Sequence, residues 1–143
     1  MVGHVNFAGG KNTDCNGHGT HVAGTVAAKD NTSYVVGAAP GAPLTGVKVL
    51  GYNGSGSYSS VIKGVDWVTA NARKPAIAYM SLGGPSSRAL DDAVRRSAAS
   101  GIFYSIAAGN DGVDAARSRA PSEYEGPSEA SGEERCPWWR FWR

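Results

Sequence analysis

Residues 77–107, IAYMSLGGPSSRALDDAVRRSAASGIFYSIA, contain two short apolar runs separated by a helical pattern. The runs Ile77 to Leu82 and Ile102 to Ala107 are each bounded by glycine-containing turns, which is typical of short buried strands. Between them, Ser87 to Ser100 has apolar residues three and four positions apart, and Gly101 fits the end of a helix there. The stretch therefore predicts a strand, a helix and a second strand in succession.

The same alternation extends toward the N-terminus. Pro43 to Leu50 contains the apolar run LTGVKVL and leads into the turn-rich GYNGSGS, which predicts a strand followed by a loop. A helix is predicted to follow, with Ser59 or Ser60 as its N-cap and the dipeptide Lys74-Pro75 as its end. A further buried helix is predicted from about His18 to Lys29, where small and apolar residues recur at helical spacing.

Strands that alternate with helices in this way are joined by right-handed crossovers. The predicted fold class is therefore α/β, a parallel twisted sheet with helices on both faces. Because the carboxyl ends of parallel strands meet at one edge of the sheet, we expect the loops GYNGSGS, SLGGP and AAGND to converge there.

Composition limits the classes of protein to consider. The chain has 143 residues, of which 41% are apolar, enough for one domain or a piece of one. The 14 basic and 12 acidic residues give a net charge of +2, which does not indicate a nucleic-acid partner. No apolar run approaches the ~18 residues that a membrane helix needs, and the N-terminus lacks the order of a signal peptide.

The composition changes after Asp111. The remainder contains no Ile, Leu or Lys, and three of the four Trp residues fall in the last six positions, WWRFWR. We expect a core unit over residues 1–114 and a divergent tail, disordered or non-native, over 115–143. The alternative is a cationic aromatic anchor for membrane surfaces, but six residues are too few to carry it. A membrane partner is therefore not expected.

Residues 16–25, NGHGTHVAGT, place two histidines three positions apart. A zinc-binding helix of the HExxH type needs histidines four positions apart and a glutamate beside them. Here the nearest carboxylate, Asp14, precedes both His18 and His21. The spacing argues against a metal site, and the stretch alone is equally compatible with two structural histidines at a helix start.

Several motifs occur together in a fixed order, and in that combination they are specific. They are NGHGTHVAGTVAA, VVGAAPGA, GVKVL, NGSGSYSSVIKGVDWV, MSLGG and AAGN. From about Asp14 to Asp114 the chain resembles the subtilisin-like serine proteases, or subtilases, near their subtilisin and proteinase K branches. The resemblance implies a doubly wound α/β fold, a secreted protein, and serine endopeptidase activity through a Ser-His-Asp triad.

The resemblance also assigns roles to individual residues. His18 matches the catalytic histidine, which acts as the general base. Asn110 matches the amide of the oxyanion hole, whose side-chain N–H stabilises the charge that develops on the carbonyl oxygen. His21 is expected to be a buried structural residue.

Two segments match those between which these enzymes hold a protein or peptide substrate as an extended strand. The implied substrate-binding residues are Gly54, Ser55, Gly56 and Tyr58 in the first segment, Ser81, Leu82 and Gly83 in the second, and Ala107, Ala108 and Gly109 beside the scissile bond. Within this set, Tyr58 and Leu82 would line an apolar pocket for a residue before the scissile bond.

The sequence departs from the family pattern in two places. Neither the D-[ST]-G motif of the triad aspartate nor the G-T-S-x-A-x-P motif of the nucleophile is present. Asp14 matches instead the acidic residue that often precedes the histidine motif. The first hypothesis is therefore a fragment of a subtilase that is inactive alone, and the alternative is a non-catalytic peptide-binding or inactive subtilase-like module.

No cofactor is expected for catalysis, but a structural calcium ion is possible in the intact parent. The loop after the His18 helix resembles a subtilisin calcium loop, which implies Asn31 as the side-chain ligand and Lys29, Ser33 and Val35 as carbonyl ligands. An ordinary polar turn is the alternative.

Cys15 falls where some relatives have a cysteine that pairs with one in the loop matched by Tyr52. Since no cysteine occurs in that loop here, Cys15 is expected to be a free thiol.

Overall fold

A computed structural model describes residues 2–32, 35–110 and 112. The elements are the strand β1 (Gly3–Asn6), the helix α1 (His18–Ala27), the strand β2 (Thr45–Lys48), the helix α2 (Tyr58–Asn71), the strand β3 (Ala76–Met80), the helix α3 (Arg88–Ala99) and the strand β4 (Ile102–Ile106). The tail predicted over 115–143 lies outside the described residues. None of the described helices is long and apolar enough to cross a membrane.

All strand pairing in the described chain is parallel, as the alternating pattern predicts. β1 pairs with β2, with Gly3 opposite Thr45, and β3 pairs with β4, with Ala76 opposite Ile102. The two pairs form separate two-stranded sheets. The partial α/β fold is therefore confirmed in class, with a helix in each connection from β1 through β4.

β1 was not predicted from the sequence. Its four residues, GHVN, include a glycine and only one apolar side chain, so neither alternation nor β-propensity marks it. Backbone bonds to β2 extend the pairing at both ends: the Val2 N–H donates to the Leu44 carbonyl oxygen at 2.7 Å, and the Phe7 N–H to that of Lys48 at 2.8 Å. These residues form a strand because their backbone pairs by hydrogen bonds with the edge of β2.

The helix boundaries agree with the sequence patterns within a few residues. The N-cap of α2 is Ser57, whose Oγ accepts a hydrogen bond from the Ser60 N–H at 3.2 Å, so the prediction of Ser59 or Ser60 was wrong. Several serines in succession make the choice ambiguous in sequence, and only backbone geometry decides it. At the end of α3, Gly101 follows Ser100 with φ of +96°, as its residue type predicts.

The core lies between α2, α3 and one face of the β3–β4 sheet. Its buried side chains form one cluster: Val61, Val65, Met80, Leu90 and Ala93. Beside them Ser97 is fully buried, and its Oγ receives hydrogen bonds from the hydroxyls of Thr69, at 2.6 Å, and Tyr104, at 2.7 Å. This polar contact joins both helices to β4 and satisfies the hydroxyls that the core buries.

The other face of the β3–β4 sheet is open. The exposed fractions are 62% for Ile77, 53% for Tyr79 and 68% for Phe103, and these residues alternate with the half-buried or buried ones that face the helices. Parallel sheets are normally covered on both faces. Three large apolar side chains on one uncovered surface are a cause of self-association.

Cys15 is disulfide-bonded, so the expectation of a free thiol was wrong. That expectation depended on one partner position known from relatives, whereas cysteine pairing cannot be deduced from sequence spacing.

We expect the isolated chain to self-associate through the open face of the β3–β4 sheet. The double variant Ile77→Thr/Phe103→Thr should reduce light scattering and the fluorescence of a bound apolar dye severalfold, because threonine preserves β-propensity and removes apolar area. Tyr52→Thr is the matched control, since Tyr52 is 58% exposed but lies in a turn outside the sheet. Equal scattering from the double variant and the wild type at the same concentration would contradict the prediction.

Candidate active site

The loops that follow β3 and β4 leave the sheet at the same edge. Met80 and Ile106 are opposite each other at the ends of the two strands, and the Ala107 N–H donates to the Met80 carbonyl oxygen at 3.1 Å. The segments 81–83 and 107–110 therefore start side by side, as expected of parallel strands with crossover helices. Two of the three loops that were predicted to converge, those after β3 and β4, therefore lie together.

His18 reaches this edge from another element. It is the first residue of α1 and its side chain is exposed. Its Nε2 lies 3.4 Å from the Oγ of Ser81, the residue that follows β3. The structure thus brings together the predicted base and the predicted peptide-binding segment, with the imidazole in hydrogen-bond contact with a hydroxyl.

The glycine-rich turn is tied to the histidine loop by a hydrogen bond from a side chain to a backbone carbonyl. The Asn16 side-chain amide donates to the Tyr52 carbonyl oxygen at 3.1 Å, and the Gly51 N–H donates to the Ser55 carbonyl oxygen at 2.7 Å. At Gly56 an added Cβ would lie 2.5 Å from the Val49 carbonyl oxygen. Only glycine allows this close approach, so the turn is held against the end of β2.

Gly54 and Ser55 lie within the same turn, where Gly54 has φ of +81° and Ser55 is half-buried. Next to this turn, the Tyr58 hydroxyl donates to the Pro85 carbonyl oxygen at 2.6 Å. Tyr58 and Leu82 are both half-buried and pack against the same core cluster. The two predicted peptide-binding segments, 54–56 and 81–83, are thereby linked through Tyr58.

An open groove of about 280 Å³ lies between α1 and the ends of β3 and β4. Its lining is mainly apolar, and four of the lining residues carry a hydroxyl: Thr25, Tyr79, Ser81 and Ser105. The other lining residues are Val22, Val26, Met80, Ile106 and Ala107. Ser81 belongs both to this groove and to the contact with His18. A small apolar group in the groove would therefore lie beside the Ser81 hydroxyl.

The start of α1 is organised by one carboxylate. Asp14 accepts four hydrogen bonds: from the Thr20 hydroxyl at 2.7 Å, and from the backbone N–H groups of Thr20 at 2.7 Å, Gly17 at 2.8 Å and Asn16 at 3.1 Å. Gly17, the N-cap residue, has left-handed backbone and supplies no side-chain cap. Asp14 therefore satisfies the orphan N–H groups that a capping side chain would otherwise take.

These contacts also set the charge state of Asp14. Partial burial alone would raise the pKa of its carboxyl, but the hydrogen bonds from the Thr20 hydroxyl and from the backbone outweigh burial and lower the pKa below its ordinary value of 3.8. Asp14 is therefore ionised at neutral pH, with its negative charge near the positive end of the helix dipole.

The capping role of Asp14 and the loop contact of Asn16 were not predicted from the sequence. The available signal was an Asx residue followed by glycine just before a helix, which is typical of turns and caps. What the pattern cannot show is that the cap is supplied from three residues before Gly17 rather than from the N-cap itself.

The remaining predicted residues fall at two places. Ala108, Gly109 and Asn110 are exposed in the loop after β4, and Gly109 has φ of +92°. His21, one turn along α1, is exposed as well, so its prediction as a buried residue was wrong. The small residues around it in α1 do not enclose its ring, and no residue of this helix is fully buried.

Asn31 does not join the histidine site. It follows the far end of α1, a helix of 10 residues that spans about 15 Å, and its side chain is exposed. Ser33, a predicted carbonyl ligand, lies outside the described residues. Residues 2–32 and 35–110 contain no cluster of three acidic, histidine or cysteine side chains. A ligand set of one amide oxygen and several backbone carbonyls would not form such a cluster, so calcium binding through Asn31 stays a prediction.

The substitution Asp14→Asn should lower the free energy of unfolding by about 1 kcal/mol at neutral pH, because the amide nitrogen that replaces one carboxylate oxygen cannot accept the two hydrogen bonds from Thr20. The pKa of Asp14 is lower in the folded chain than its ordinary value of 3.8. Its stabilising contribution is therefore present above that value and is lost as the pH falls through the lowered folded pKa. Urea unfolding at several pH values, at concentrations below the onset of association, measures the difference.

Asp92→Asn is the matched control for Asp14→Asn. Among the residues that the structure describes, the Asp92 carboxylate contacts the Arg95 guanidinium alone, at 3.4 Å, on a largely exposed face of α3. Such pairs contribute little to stability. A loss from Asp14→Asn that is no larger than that from Asp92→Asn, or that persists undiminished well below pH 3.8, would contradict the assignment.

Comparison with known proteins shows the family to which the chain belongs. The chain matches the Subtilase family over residues 3–133. It is 48% identical over 130 residues to Subtilisin DY of Bacillus licheniformis, covering 87% of this chain and 47% of that protein. It is also 56% identical over 107 residues to the Extracellular serine proteinase of Thermus sp. (strain Rt41A), covering 75% of this chain and 25% of that protein.

A solved structure shows the same fold. The crystal structure of a cold adapted subtilisin-like serine proteinase superimposes with a TM-score of 0.71 at 46% identity, covering 80% of this chain and 41% of that one. The chain thus spans less than half the length of these relatives. A family match over most of the chain, with identities near one half, is sufficient for assignment: the chain belongs to the subtilase family.

Proposed function

We propose that this chain carries the general base and the substrate cleft of a subtilisin-like serine endopeptidase. One observation carries the proposal: His18 is exposed at the start of α1 and lies against the loop after β3, with 3.4 Å between its Nε2 and the Ser81 Oγ. A base that takes a proton from a nucleophile must be accessible and lie beside the substrate. The exposure of His18 and its contact with the loop after β3 support this role.

In the proposed reaction His18 accepts the proton of a serine hydroxyl as that oxygen attacks the peptide carbonyl carbon. It then returns the proton to the departing amine nitrogen, and water repeats the sequence to release the acyl group. The Asn110 side chain would donate a hydrogen bond to the carbonyl oxygen as its charge develops. The sequence contains neither the nucleophile motif nor the triad aspartate motif, so we propose no peptidase turnover by this chain alone.

A chromogenic peptide substrate tests whether the chain alone has peptidase activity. Without the triad serine no acyl-enzyme forms, and we expect no release of chromophore above the buffer rate. Turnover at protease-like rates that a serine-directed inhibitor abolishes would contradict the fragment hypothesis.

A chimera tests the role of His18 directly. Residues 3–110 of this chain would replace the matching segment of Subtilisin DY, which supplies the remaining triad groups. His18→Ala in the active chimera should lower kcat by several orders of magnitude; in subtilisin itself the loss of the histidine costs about a millionfold. His21→Ala is the matched control, since His21 lies one turn away on the same helix and is also exposed. A folded chimera without activity would favour the non-catalytic module instead.

The substrate is proposed to bind as an extended strand between the segments 54–56 and 81–83. Glycines in both segments leave room for backbone to approach backbone, so main-chain hydrogen bonds would supply most of the affinity. Tyr58 and Leu82 would contact one apolar side chain of the peptide, since both pack at the edge of the core cluster. Broad sequence preference follows from recognition of this kind.

We expect backbone methylation of a bound peptide to matter more than side-chain changes. N-methylation of an amide that faces the chain removes a donor and should weaken binding severalfold in a fluorescence anisotropy titration. N-methylation of an amide in the same peptide that lies beyond the stretch held between the two segments is the control. Equal losses at every position, or none, would exclude strand-like binding.

Two further properties are proposed by relationship. Secretion is proposed because one relative is named as an extracellular proteinase.

Calcium binding is proposed for the intact parent, whereas this chain is expected to bind no more tightly than the millimolar range of the weakest protein sites. In a calorimetric calcium titration, micromolar binding that survives Asn31→Ala would show that Asn31 is not the ligand.

A further inference from the structure

The contact between Ser81 and His18 does not require any residue from outside this chain. We propose that Ser81 and His18 form a nucleophile and base pair that hydrolyses activated carboxylic esters with short apolar acyl groups. This activity is separate from the proposed peptidase, which uses a different serine. It belongs to the chain in its present form.

The geometry of the pair suits proton transfer. The distance from the Ser81 Oγ to the His18 Nε2 is 3.4 Å, slightly longer than a mature catalytic hydrogen bond and within the range that closes when substrate binds. Each partner has a fixed support. His18 begins a helix whose first turn is held by Asp14, and Ser81 directly follows Met80, the last residue of β3.

The groove supplies a place for the acyl group. Ser81 is one of its lining residues, and the apolar side chains of Val22, Val26 and Ile106 line it as well. Its volume of about 280 Å³ accommodates a short acyl chain beside the Ser81 hydroxyl. Both Ser81 and His18 are exposed, so an ester can approach the hydroxyl from solvent. A butyryl ester is therefore expected to react better than an acetyl ester.

The reaction balances with water as the only co-reactant. The Ser81 Oγ forms a bond to the ester carbonyl carbon while its proton passes to the His18 Nε2. The bond from that carbon to the phenolic oxygen breaks, and the leaving group departs either as phenol, taking the proton from His18, or as phenolate, in which case His18 releases the proton to solvent. Water then attacks the acyl-serine with His18 as the base, releasing the carboxylic acid and restoring the hydroxyl.

The substrate class follows from what the pair lacks. No carboxylate contacts the His18 imidazole among the residues that the structure describes, so the ring has no acidic partner to stabilise its charged form. Esters with a good leaving group need less assistance than amides. The pair is therefore expected to cleave aryl esters and to leave peptides intact.

The test measures hydrolysis of p-nitrophenyl butyrate by the intact chain, compared with free imidazole at equal concentration. We expect Ser81→Ala and His18→Ala each to reduce the rate by about a hundredfold or more, the lower end of the contribution of general-base catalysis. Ser81→Cys should retain activity, because a thiol replaces the hydroxyl. Ser86→Ala is the matched control, an exposed serine in the same loop, and should leave the rate unchanged. A wild-type rate no faster than imidazole would overturn the proposal.

Mass spectrometry identifies the acylated atom. After a brief reaction and acid quenching, tryptic residues 74–88 should carry one butyryl group, and fragmentation should place it on Ser81 rather than on Ser86 or Ser87. Hydrolysis that persists in a folded Ser81→Ala variant, or acylation of His18 alone, would show that imidazole is the nucleophile and would overturn the proposal. None of these outcomes depends on the peptidase chimera, so the two proposals fail independently.

Discussion

The parallel pairing of β3 with β4 is the constraint on which the site depends. Parallel neighbours cannot be joined by a tight turn, so the chain must return along α3 before the second strand begins. Both strands then end at the same edge, with Met80 opposite Ile106. The polar loops that carry Ser81 and Asn110 are adjacent for this reason, although they are far apart in sequence.

A second contribution comes from hydrogen bonding outside the sheet. The Asp14 carboxylate holds the first turn of α1, and the amide of Asn16 reaches the glycine-rich turn after β2. The sheet places the strand ends, and these local bonds bring the histidine to them. Since α1 has no fully buried residue, its position depends on these polar contacts more than on apolar packing.

Much of this was predictable, for identifiable reasons. The helix α3 and the strand β4 have strong periodic patterns and clear ends such as Gly101, so sequence places them within one or two residues. β1 was missed because strand pairing, not side-chain pattern, creates it. His21 was misjudged because burial depends on which elements pack against a helix face, and periodicity shows only that a face exists. The contact between Ser81 and His18 joins residues 63 positions apart, a separation over which local patterns carry no information.

Gly17 has a consequence for how this protein can evolve. Its φ of +91° excludes nearly every side chain, so the usual improvements at an N-cap, serine, threonine or aspartate, are closed to it. Asp14 in the preceding loop supplies the cap instead, four residues before His18, the proposed general base and the first residue of α1. The stability of the helix start and the position of the proposed base therefore depend on one small group of atoms. A change in this segment would alter both the start of α1 and the position of His18. We therefore expect distant descendants to remain most alike here.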